Sequence, residues 1–445
     1  MKKYYIESLK IDNLWGDQNI GITFNSDVNI LIGPNGSGKT TVLNLIHGIL
    51  SADLPSLLNI NFDQAEIRLK EFEGKSVRTV KVNTTDRSLK LSIGQTRFEI
   101  DIDIISDPRY PGYYRHPETG QIVRGTLPQR FVRGRIVPET LYDELIALVS
   151  TVWLPVSRRL PLTQDEKERY AMADSLEAVD LRLWELLDGL PQYHTHLNTR
   201  LHGRYRQFEH QVLSAMLYSK EHDSLRKISL SMLNSLLTED AKEQLLSAFE
   251  AAGLLDEQMR IRIDEHFAVA EDAVKRIRDE PSARFQDMFV VPLIWRTKAM
   301  VEYARELEED RARIFEPLRR YEEIVNSFLN DETTVNSFLN KKSVKVDESG
   351  VLKIESSSTS NLNPYLLSSG EKQILILLTE ALLRAYEPVV YIADEPELSL
   401  HVVWQEKLLE SLVSLSEQIQ VIVATHSPDI VGRFKDSVID LGRDS

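Results

Sequence analysis

Apolar residues near the start of the chain follow two periods, and the change of period separates predicted strands from a predicted helix. YYIESLKI (4–11) alternates apolar and polar residues, and VNILI (28–32) is a short, largely apolar run. Alternation is typical of a strand with one wet face, and an apolar run is typical of a buried strand. TVLNLIHGIL (41–50) then has apolar residues at helical spacing, so this region predicts strands followed by a helix.

Strand patterns return in later regions. Within residues 64–103, AEIRLKEF, VRTVKV, LKLSI and TRFEIDID are separated by Gly, Asn and Asp, which predicts an antiparallel meander. SVKVDESGVLKIE (343–355) predicts a hairpin with a central turn. TVWLPV (151–156), VVYIADE (389–395) and QVIVA (420–424) are apolar runs, and the last two alternate with helical stretches. Strands that alternate with helices predict a parallel sheet in the last third of the chain.

Between residues 161 and 330 the spacing of apolar residues is mostly helical. The stretch 296–329 has the strongest pattern, but its apolar heptads are not sustained, so no long coiled coil is expected. Proline is expected to break the helical pieces, because it lacks the N–H that a helix interior needs. The prolines concerned are Pro191, Pro281, Pro292 and Pro317.

Composition narrows the class of protein. The 445 residues carry 53 Lys and Arg against 68 Asp and Glu, a net charge of −15, so any nucleic-acid contact is expected from a local patch. The absence of cysteine excludes disulfides and thiolate metal sites and fits a cytoplasmic protein. The start lacks the apolar core of a signal peptide, and no apolar run approaches the ~20 residues that cross a bilayer. No membrane contact is therefore expected.

GPNGSGKT (33–40) stands between an apolar strand pattern and a helix, and it fits the phosphate-loop pattern G-x-x-x-x-G-K-[ST]. Glycines let backbone N–H groups close around phosphate oxygens, the lysine reaches the β- and γ-phosphates, and the Thr hydroxyl binds Mg²⁺. A glycine-rich turn without a ligand is the alternative. The pattern predicts ATP and Mg²⁺ as cofactors. The predicted nucleotide-binding residues of this loop are Gly33, Asn35, Gly36, Ser37, Gly38, Lys39, Thr40 and Thr41.

Two acids and a histidine follow the later apolar strands. Asp394 ends a buried-strand pattern, which suits Mg²⁺ binding, so Thr40 and Asp394 are the predicted metal ligands. Glu395 is expected to polarise the attacking water, and His426 is expected to hydrogen-bond a γ-phosphate. These two are the predicted catalytic residues. The alternatives are a helix-capping acid pair and a structural histidine.

A second helix start of the anion-binding kind lies far along the chain from the first. In LLSSGEKQILILL (366–378), Ser368, Ser369 and Gly370 stand immediately ahead of an apolar helical run. Small residues leave backbone N–H groups accessible, and the positive end of the helix dipole favours an anion. The stretch therefore predicts a second phosphate contact.

GPNGSGKT, LSSGEKQ, YIADEPELSLH and ATHSPD occur in the order found in ABC-type ATPases, and the chain resembles that family at both of its ends. The resemblance implies an α/β fold, an ABC-type P-loop ATPase head with an antiparallel β subdomain, interrupted by a helical insertion. The two halves of the head are expected at 1–160 and 330–445, with the insertion at 161–329.

The same resemblance implies a role for the second helix start. In the family, the signature helix of one subunit closes on the ATP of another, so Ser368, Ser369 and Gly370 are expected to bind a partner's nucleotide. Glu397–His401 is then the D-loop at that interface. The implied assembly is a head-to-tail dimer, or a higher homo-oligomer, held together by ATP.

The helical insertion between the motifs is similar to that of the SMC and RecF-like group. The chain looks closest to the compact ATPases of bacterial anti-phage systems, such as those of PARIS and Septu and the OLD nucleases. Because the chain ends soon after His426, the Toprim domain of the OLD type is expected to be absent. An effector such as a Toprim or HNH nuclease is then expected to be a separate chain.

Two functions from different classes follow from the resemblance. The first is a sensor and scaffold that holds an effector in anti-phage defence, and its ATP hydrolysis is expected to be slow and regulatory.

The second is a RecF-like repair ATPase that acts on DNA. An arginine-rich segment at 106–138 is relevant to this choice. It is either a basic contact for nucleic acid or an acidic partner, or a surface loop with solvated arginines. Its arginines are Arg109, Arg115, Arg124, Arg130, Arg133 and Arg135. Gln129 is the candidate Q-loop glutamine, and Asn13–Trp15 is the candidate adenine contact, with Trp15 as a core residue the alternative.

Overall fold

The computed structural model describes residues 4–53, 56–57, 59–85, 88–101, 113–115, 122–124, 139–154, 178–215, 217, 238–251, 253–279, 290–330, 341–357, 359, 361–416 and 418–442. Gln129 and the side chains of the arginine-rich segment lie outside the described part, so the predictions made for them are not addressed by it.

Fifteen strands are described. In chain order they are β1 (Tyr4–Leu14), β2 (Gln18–Thr23), β3 (Val28–Ile32), β4 (Gln64–Glu71), β5 (Val77–Thr84), β6 (Ser88–Ile93), β7 (Thr96–Asp101), β8 (Tyr113–Arg115), β9 (Ile122–Arg124), β10 (Ser150–Leu154), β11 (Lys342–Val346), β12 (Leu352–Ser356), β13 (Val389–Asp394), β14 (Ile419–Ala424) and β15 (Val438–Asp440).

The described α-helices are α1 (Lys39–Leu50), α2 (Glu139–Leu148), α3 (Ala178–Ala215), α4 (Glu239–Ala251), α5 (Glu257–Asp279), α6 (Val290–Leu329), α7 (Ser369–Leu383), α8 (Val402–Ser414) and α9 (Pro428–Val431). Short 3₁₀ turns cover Pro364–Leu366 and Lys435–Ser437. None of the described helices combines the length and apolar character that crossing a bilayer requires.

Strands from the two ends of the chain form one parallel sheet in the order β10-β13-β14-β3-β15. β3, which leads into the phosphate loop, lies between β14 and β15 and runs parallel to both. β13 and β14 are buried at every position, as expected for strands covered on both faces. The parallel sheet predicted for the last third is confirmed.

The alternating stretches form a six-stranded antiparallel sheet in the order β2-β1-β4-β5-β6-β7. Consecutive pairing of β4, β5, β6 and β7 confirms the predicted meander. β11 and β12 pair antiparallel around a turn that begins at Asp347, which confirms the predicted hairpin.

A buried amide joins the two sheets. Gln420, on β14 of the parallel sheet, has no exposed surface. Its Oε1 accepts from the Ile6 N–H at 2.8 Å, and its Nε2 donates to the Ile6 carbonyl at 2.8 Å and the Asn25 carbonyl at 2.7 Å. All of its hydrogen-bonding groups are used, so the amide fixes β1 against β14 without leaving a buried polar atom unpaired. Apolar residues of both sheets and of α1 form the surrounding core.

The prediction that proline breaks the helices was wrong at two of its four positions. Pro191 lies inside α3, and Pro317 lies inside α6. Buried neighbours such as Leu190 and Leu318 hold the helix at these points, so packing outweighs the lost hydrogen bond. Pro292 lies in the first turn of α6, where the missing N–H has no helical partner to lose. Pro281 lies outside the described residues.

The chain divides into two compact units, one formed by Met1–Pro191 with Arg320–Ser445 and the other by Gln192–Arg319. The first contains both large sheets, and the second is built from parts of α3 and α6 together with α4 and α5. The predicted boundaries after residues 160 and 329 stay a prediction, since residues 155–177 and 331–340 lie outside the described part.

Candidate functional site

Three neighbouring parallel strands carry the predicted site at their carboxyl ends. β3 is followed by Gly33, β13 ends at Asp394, and β14 is followed by Thr425. The Glu395 N–H donates to the Ala424 carbonyl at 2.8 Å, and the Thr425 N–H donates to the Leu31 carbonyl at 3.1 Å. Crevices at the carboxyl ends of parallel strands are the usual ligand sites of such sheets. The fold thus brings together three segments that are far apart in sequence.

The phosphate loop leaves the start of α1 open. Gly38, the residue before the helix, has φ of 91°, and no side chain caps the first turn. That turn also contains no acidic residue. Its N–H groups and the helix dipole therefore meet no competing anion of their own helix, which suits a phosphate.

Trp15 makes the requirement for glycine at position 38 stricter. A Cβ added to Gly38 would lie 2.9 Å from the Trp15 ring, in addition to the strained backbone angle. Trp15 is 41% exposed, so its ring lies beside the phosphate loop and is not a core residue. Asn13 is held next to it by hydrogen bonds with Asn19 and Asp63. The suggested adenine contact is thus adjacent to the loop.

Lys39 is buried although it is charged. Its Nζ donates to the Gly33 carbonyl at 2.9 Å and to the Pro34 carbonyl at 3.2 Å. The loop therefore folds around the ammonium group and presents it at the strand end. Ser37 Oγ is buried and has no hydrogen-bond partner in the described structure. Asn35, Gly36 and Thr40 are exposed, and Thr41 is half-buried.

Asp394 and Thr40 meet at the predicted metal position. The Thr40 hydroxyl hydrogen-bonds to the Asp394 carboxylate. Asp394 Oδ2 is buried without a hydrogen-bond partner among the described residues. Burial raises the pKa of Asp394, opposed by the Thr40 hydrogen bond and by Lys39, while the neighbouring carboxylates of Glu395 and Glu397 raise it further.

The two side chains fit a magnesium ion that takes its remaining ligands from water and phosphates. Mg²⁺ prefers oxygen ligands and is usually held by one or two protein groups together with substrate phosphates. Where the structure describes the chain, no cluster of three or more His, Asp or Glu side chains could hold a metal alone. The buried, unpaired oxygen of Asp394 is the observation that calls for a cation.

Glu395 and His426 lie together at the open side of the strand ends. His426 Nε2 is 3.8 Å from Glu395 Oε1, and the two side chains are 40% and 29% exposed. Glu395 has φ of 47°, an angle that non-glycine residues rarely adopt. A strained, partly exposed carboxylate beside a histidine can orient a water molecule and accept its proton.

Glu397 was expected only as the first residue of the D-loop, and the structure gives it a larger role. Its Oε1 accepts from the Thr425 hydroxyl, from the His426 N–H at 3.2 Å and from the Ser427 N–H at 3.3 Å. The carboxylate therefore fixes the backbone that presents His426. Sequence spacing carries only a faint signal of this, a third acid close behind Asp394 and Glu395.

The second helix start, that of α7, is capped by side chains of its own residues. Ser368 is the N-cap of α7, and it forms a capping box with Glu371. Ser368 and Ser369 are exposed, whereas Gly370 is buried. A Cβ added to Gly370 would lie 2.7 Å from the Ser399 carbonyl oxygen, so the start of α7 packs directly against the D-loop.

Two ion pairs at the start of α7 were not foreseen. Lys342 Nζ lies 2.6 Å from Glu371 Oε1, and Lys372 Nζ lies 2.6 Å from Asp180 Oδ1. The acids and bases come from positions that are distant in sequence, so no local pattern could have paired them.

A phosphate loop after β3, paired acids at the end of β13 and a signature helix in ABC order define a P-loop ATPase head of the ABC type. The chain belongs to the family described as "AAA domain, putative AbiEii toxin, Type IV TA system", which its residues 191–432 match. Residues 8–126 match a second family, described as "AAA domain". It is an SMC/RecF-like protein that resembles anti-phage defence ATPases.

Two curated relatives match parts of the chain. The Septu protein PtuA of Bacillus thuringiensis is 38% identical over 66 residues, which cover 14% of this chain and 17% of PtuA. The DNA double-strand break repair Rad50 ATPase of Methanopyrus kandleri is 29% identical over 170 residues, 31% of this chain and 18% of that protein. Each alignment spans less than a fifth of the relative's length.

Solved structures of Smc head domains are also similar. One, from Pyrococcus furiosus with an extended coiled coil and bound to the C-terminal domain of ScpA, has a TM-score of 0.41 and 13% identity and covers 98% of this chain and 93% of its own. Another, from Pyrococcus yayanosii with a coiled coil and joint, has a TM-score of 0.40 and 14% identity, with 98% and 95% covered.

Proposed function

We propose that the protein binds ATP with Mg²⁺ at the phosphate loop and hydrolyses it slowly. The observation that carries this proposal is the buried, unpaired oxygen of Asp394 beside Thr40 and the uncapped start of α1. Bound Mg·ATP would supply the phosphoryl group and neutralise its negative charge. Asp394 and Thr40 would hold the cation, and the nucleotide-binding residues named for the loop would surround the phosphates.

The roles of the remaining side chains follow from their positions. Lys39 would exchange a carbonyl contact for a phosphate oxygen, since its ammonium group is bound only to the Gly33 and Pro34 carbonyls among the described residues. Glu395 would accept a proton from the attacking water. His426 would donate a hydrogen bond at the same place, held there by Glu397.

The direct test is ATP turnover by the purified chain with and without Mg²⁺. Hydrolysis that requires Mg²⁺, and that a chelator abolishes reversibly, is the expected result. Turnover that continues after Mg²⁺ is removed would contradict the roles given to Thr40 and Asp394.

The start of α7 would serve the nucleotide of a second copy. Ser368, Ser369 and Gly370 would contact its γ-phosphate, so that ATP joins two copies head to tail. The start of α7 packs against Ser399, and three apolar side chains that are exposed near these two positions would become part of the contact with the second copy. They are Leu366, Leu398 and Val402.

For the biological role we favour a sensor and scaffold that holds a separate effector in anti-phage defence. The similarity to PtuA and the family description support this role. A Toprim or HNH nuclease is the expected class of effector, and the cytoplasm is the expected compartment. Purification with the product of the neighbouring gene, followed by mass measurement with and without ATP, tests it. A complex whose composition changes with ATP is expected, whereas a chain that never associates with that product would contradict it.

The second candidate is a RecF-like repair ATPase, which the longer match to Rad50 favours. Replacing Arg130, Arg133 and Arg135 with Glu separates the two candidates. Loss of salt-sensitive DNA binding with an intact protein complex would support repair, because phosphate contacts release counterions. Loss of the protein partner without measurable DNA affinity would support the scaffold.

A further inference from the structure

The start of α7 carries a negative charge where an anion is expected to dock. The Ser368 N–H and hydroxyl donate to Glu371 Oε2 at 2.8 Å and 2.9 Å. The carboxylate is therefore fixed at the helix end, beside the exposed Ser368. A fixed carboxylate repels an approaching phosphate, and the repulsion is strongest where little water lies between them.

One lysine opposes that charge. Lys342, the first residue of β11, places its Nζ 2.6 Å from Glu371 Oε1. The Lys342 and Glu371 side chains are 17% and 10% exposed, so water screens the pair only weakly. The neighbouring Lys372 does not neutralise Glu371, because its Nζ is paired with Asp180 Oδ1 at 2.6 Å.

The geometry points to Lys342 as a positioning residue of the site that receives the partner's γ-phosphate. By neutralising Glu371 and holding its carboxylate in the capping box, Lys342 gives the start of α7 a net charge that accepts a phosphate. This inference rests on the proposed function, in which Ser368, Ser369 and Gly370 bind the nucleotide of a second copy.

The test variant is Lys342→Met, which keeps the aliphatic stem and removes the charge. Lys345→Met, on the same strand but exposed, is the matched control. Lys342→Met should raise the dissociation constant of the dimer formed with Mg·ATP by about tenfold or more, the scale of one lost charged contact. ATP affinity of the single chain should stay within about twofold, because Lys342 is not part of the phosphate loop.

The double variant Lys342→Met with Glu371→Gln isolates the charge. Glutamine can still close a capping box but carries no charge. Dimer formation should therefore recover in the double variant. If it does not recover, the charge argument is wrong.

A second readout needs no nucleotide. Amide hydrogen exchange at residues 366–372 should be faster in Lys342→Met than in wild type, and unchanged in Lys345→Met, since only the former loosens the capping carboxylate. If Lys342→Met melts below wild type, Lys342→Arg serves instead, and this variant should dimerise nearly as well as wild type. A loss as large as that of Met would overturn the proposal.

The outcomes also separate this inference from the proposed function. Dimerisation with Mg·ATP that is normal in Lys342→Met but blocked in Ser368→Arg refutes the role of Lys342 alone. Normal dimerisation and hydrolysis in both variants refutes the proposal that α7 acts on a second copy's nucleotide.

Discussion

The N-termini of α1 and α7 resemble each other in sequence but differ in how they are capped. α1 begins after Gly38 with no side-chain cap and no acid in its first turn. α7 begins with a complete capping box, in which Ser368 and Glu371 satisfy each other's groups. Both are preceded by small residues and followed by apolar ones, so local composition does not separate them.

The difference indicates that one helix start binds a ligand within its own subunit, whereas the other contacts a second molecule. An open helix end has free N–H groups that a bound phosphate satisfies, so α1 is suited to permanent occupancy. α7 is stable without a ligand and keeps its serines exposed, which suits a contact made only when another molecule arrives. Four variants test this difference between α1 and α7.

The largest effect is expected at the open start. Lys39→Ala removes the ammonium group that the loop is folded around, and ATP affinity should fall by roughly 100-fold or more, the scale of two lost charge-assisted contacts. Calorimetric titration with ATP measures it. The structure of α7 should be untouched, and ATP binding close to wild type would mean that α1 is not the nucleotide site.

Glu395→Gln should preserve ATP binding and strongly reduce ATP hydrolysis. The amide retains the shape of the side chain but cannot accept a proton, so hydrolysis should fall by roughly 10²-fold or more while ATP affinity holds. The dimer should then accumulate in mass measurements with ATP. Glu348→Gln, in an exposed turn, is the control and should hydrolyse normally. Loss of ATP binding in Glu395→Gln would assign this residue to binding and not to catalysis.

Ser368→Arg tests the closed start. A bulky cation there would occupy the place of the partner's phosphate, so hydrolysis and ATP-driven association should drop by roughly tenfold or more, the effect of about 1.4 kcal/mol. ATP binding by the single chain should remain. Ser343→Arg, exposed on β11, controls for the added charge and bulk. Unimpaired turnover in Ser368→Arg would show that α7 does not act on a second copy.

The smallest expected effect is a pH dependence of stability at the C-terminal end of α1. His47 lies in its last turn, stacked on Trp153 with ring centroids 5.4 Å apart, whereas α7 has no basic residue in its last turn. Burial lowers the pKa of His47 from its usual 6.5, partly opposed by Asp53.

The sign of the pH effect follows from that lowered pKa. Below pH 6.5, His47 of the unfolded chain binds a proton more readily than His47 of the folded chain. The stability that a neutral His47 contributes is therefore fully present above pH 6.5. It is lost as the pH falls from there through the lower pKa that His47 has in the folded chain. The melting temperature should drop more between pH 7 and pH 5.5 in wild type than in His47→Phe. His196→Phe, at an exposed position, should follow wild type. Parallel curves for all three would mean that His47 does not carry the effect.

Local patterns were enough to predict the antiparallel meander, the hairpin and four of the five parallel strands, whereas β15 was not predicted. Apolar runs and alternation report burial directly, because burial on one face or two dictates which positions must be apolar. The same patterns predicted that Gly33 and His426 follow strands and that Asp394 ends one, and the parallel sheet explains why these three segments meet.

Contacts between distant positions could not be predicted in this way. Nothing near Lys342 in sequence indicates Glu371, and nothing near Trp15 indicates Gly38. The helix breaks expected at Pro191 and Pro317 failed for the same reason, since the packing that holds these helices comes from residues elsewhere in the chain.

The position of β3 in its sheet has a consequence for the newly made chain. β3 pairs with β14 on one side and with β15 on the other, and both neighbours are translated about 400 residues later. A ribosome-bound chain that has not yet extended past residue 419 therefore presents the phosphate loop on a strand without either neighbour. Contacts of such long sequence separation form slowly, because a large loop must close first. We therefore expect stable nucleotide binding only after synthesis has passed the segments that carry Ser368, Glu395 and His426.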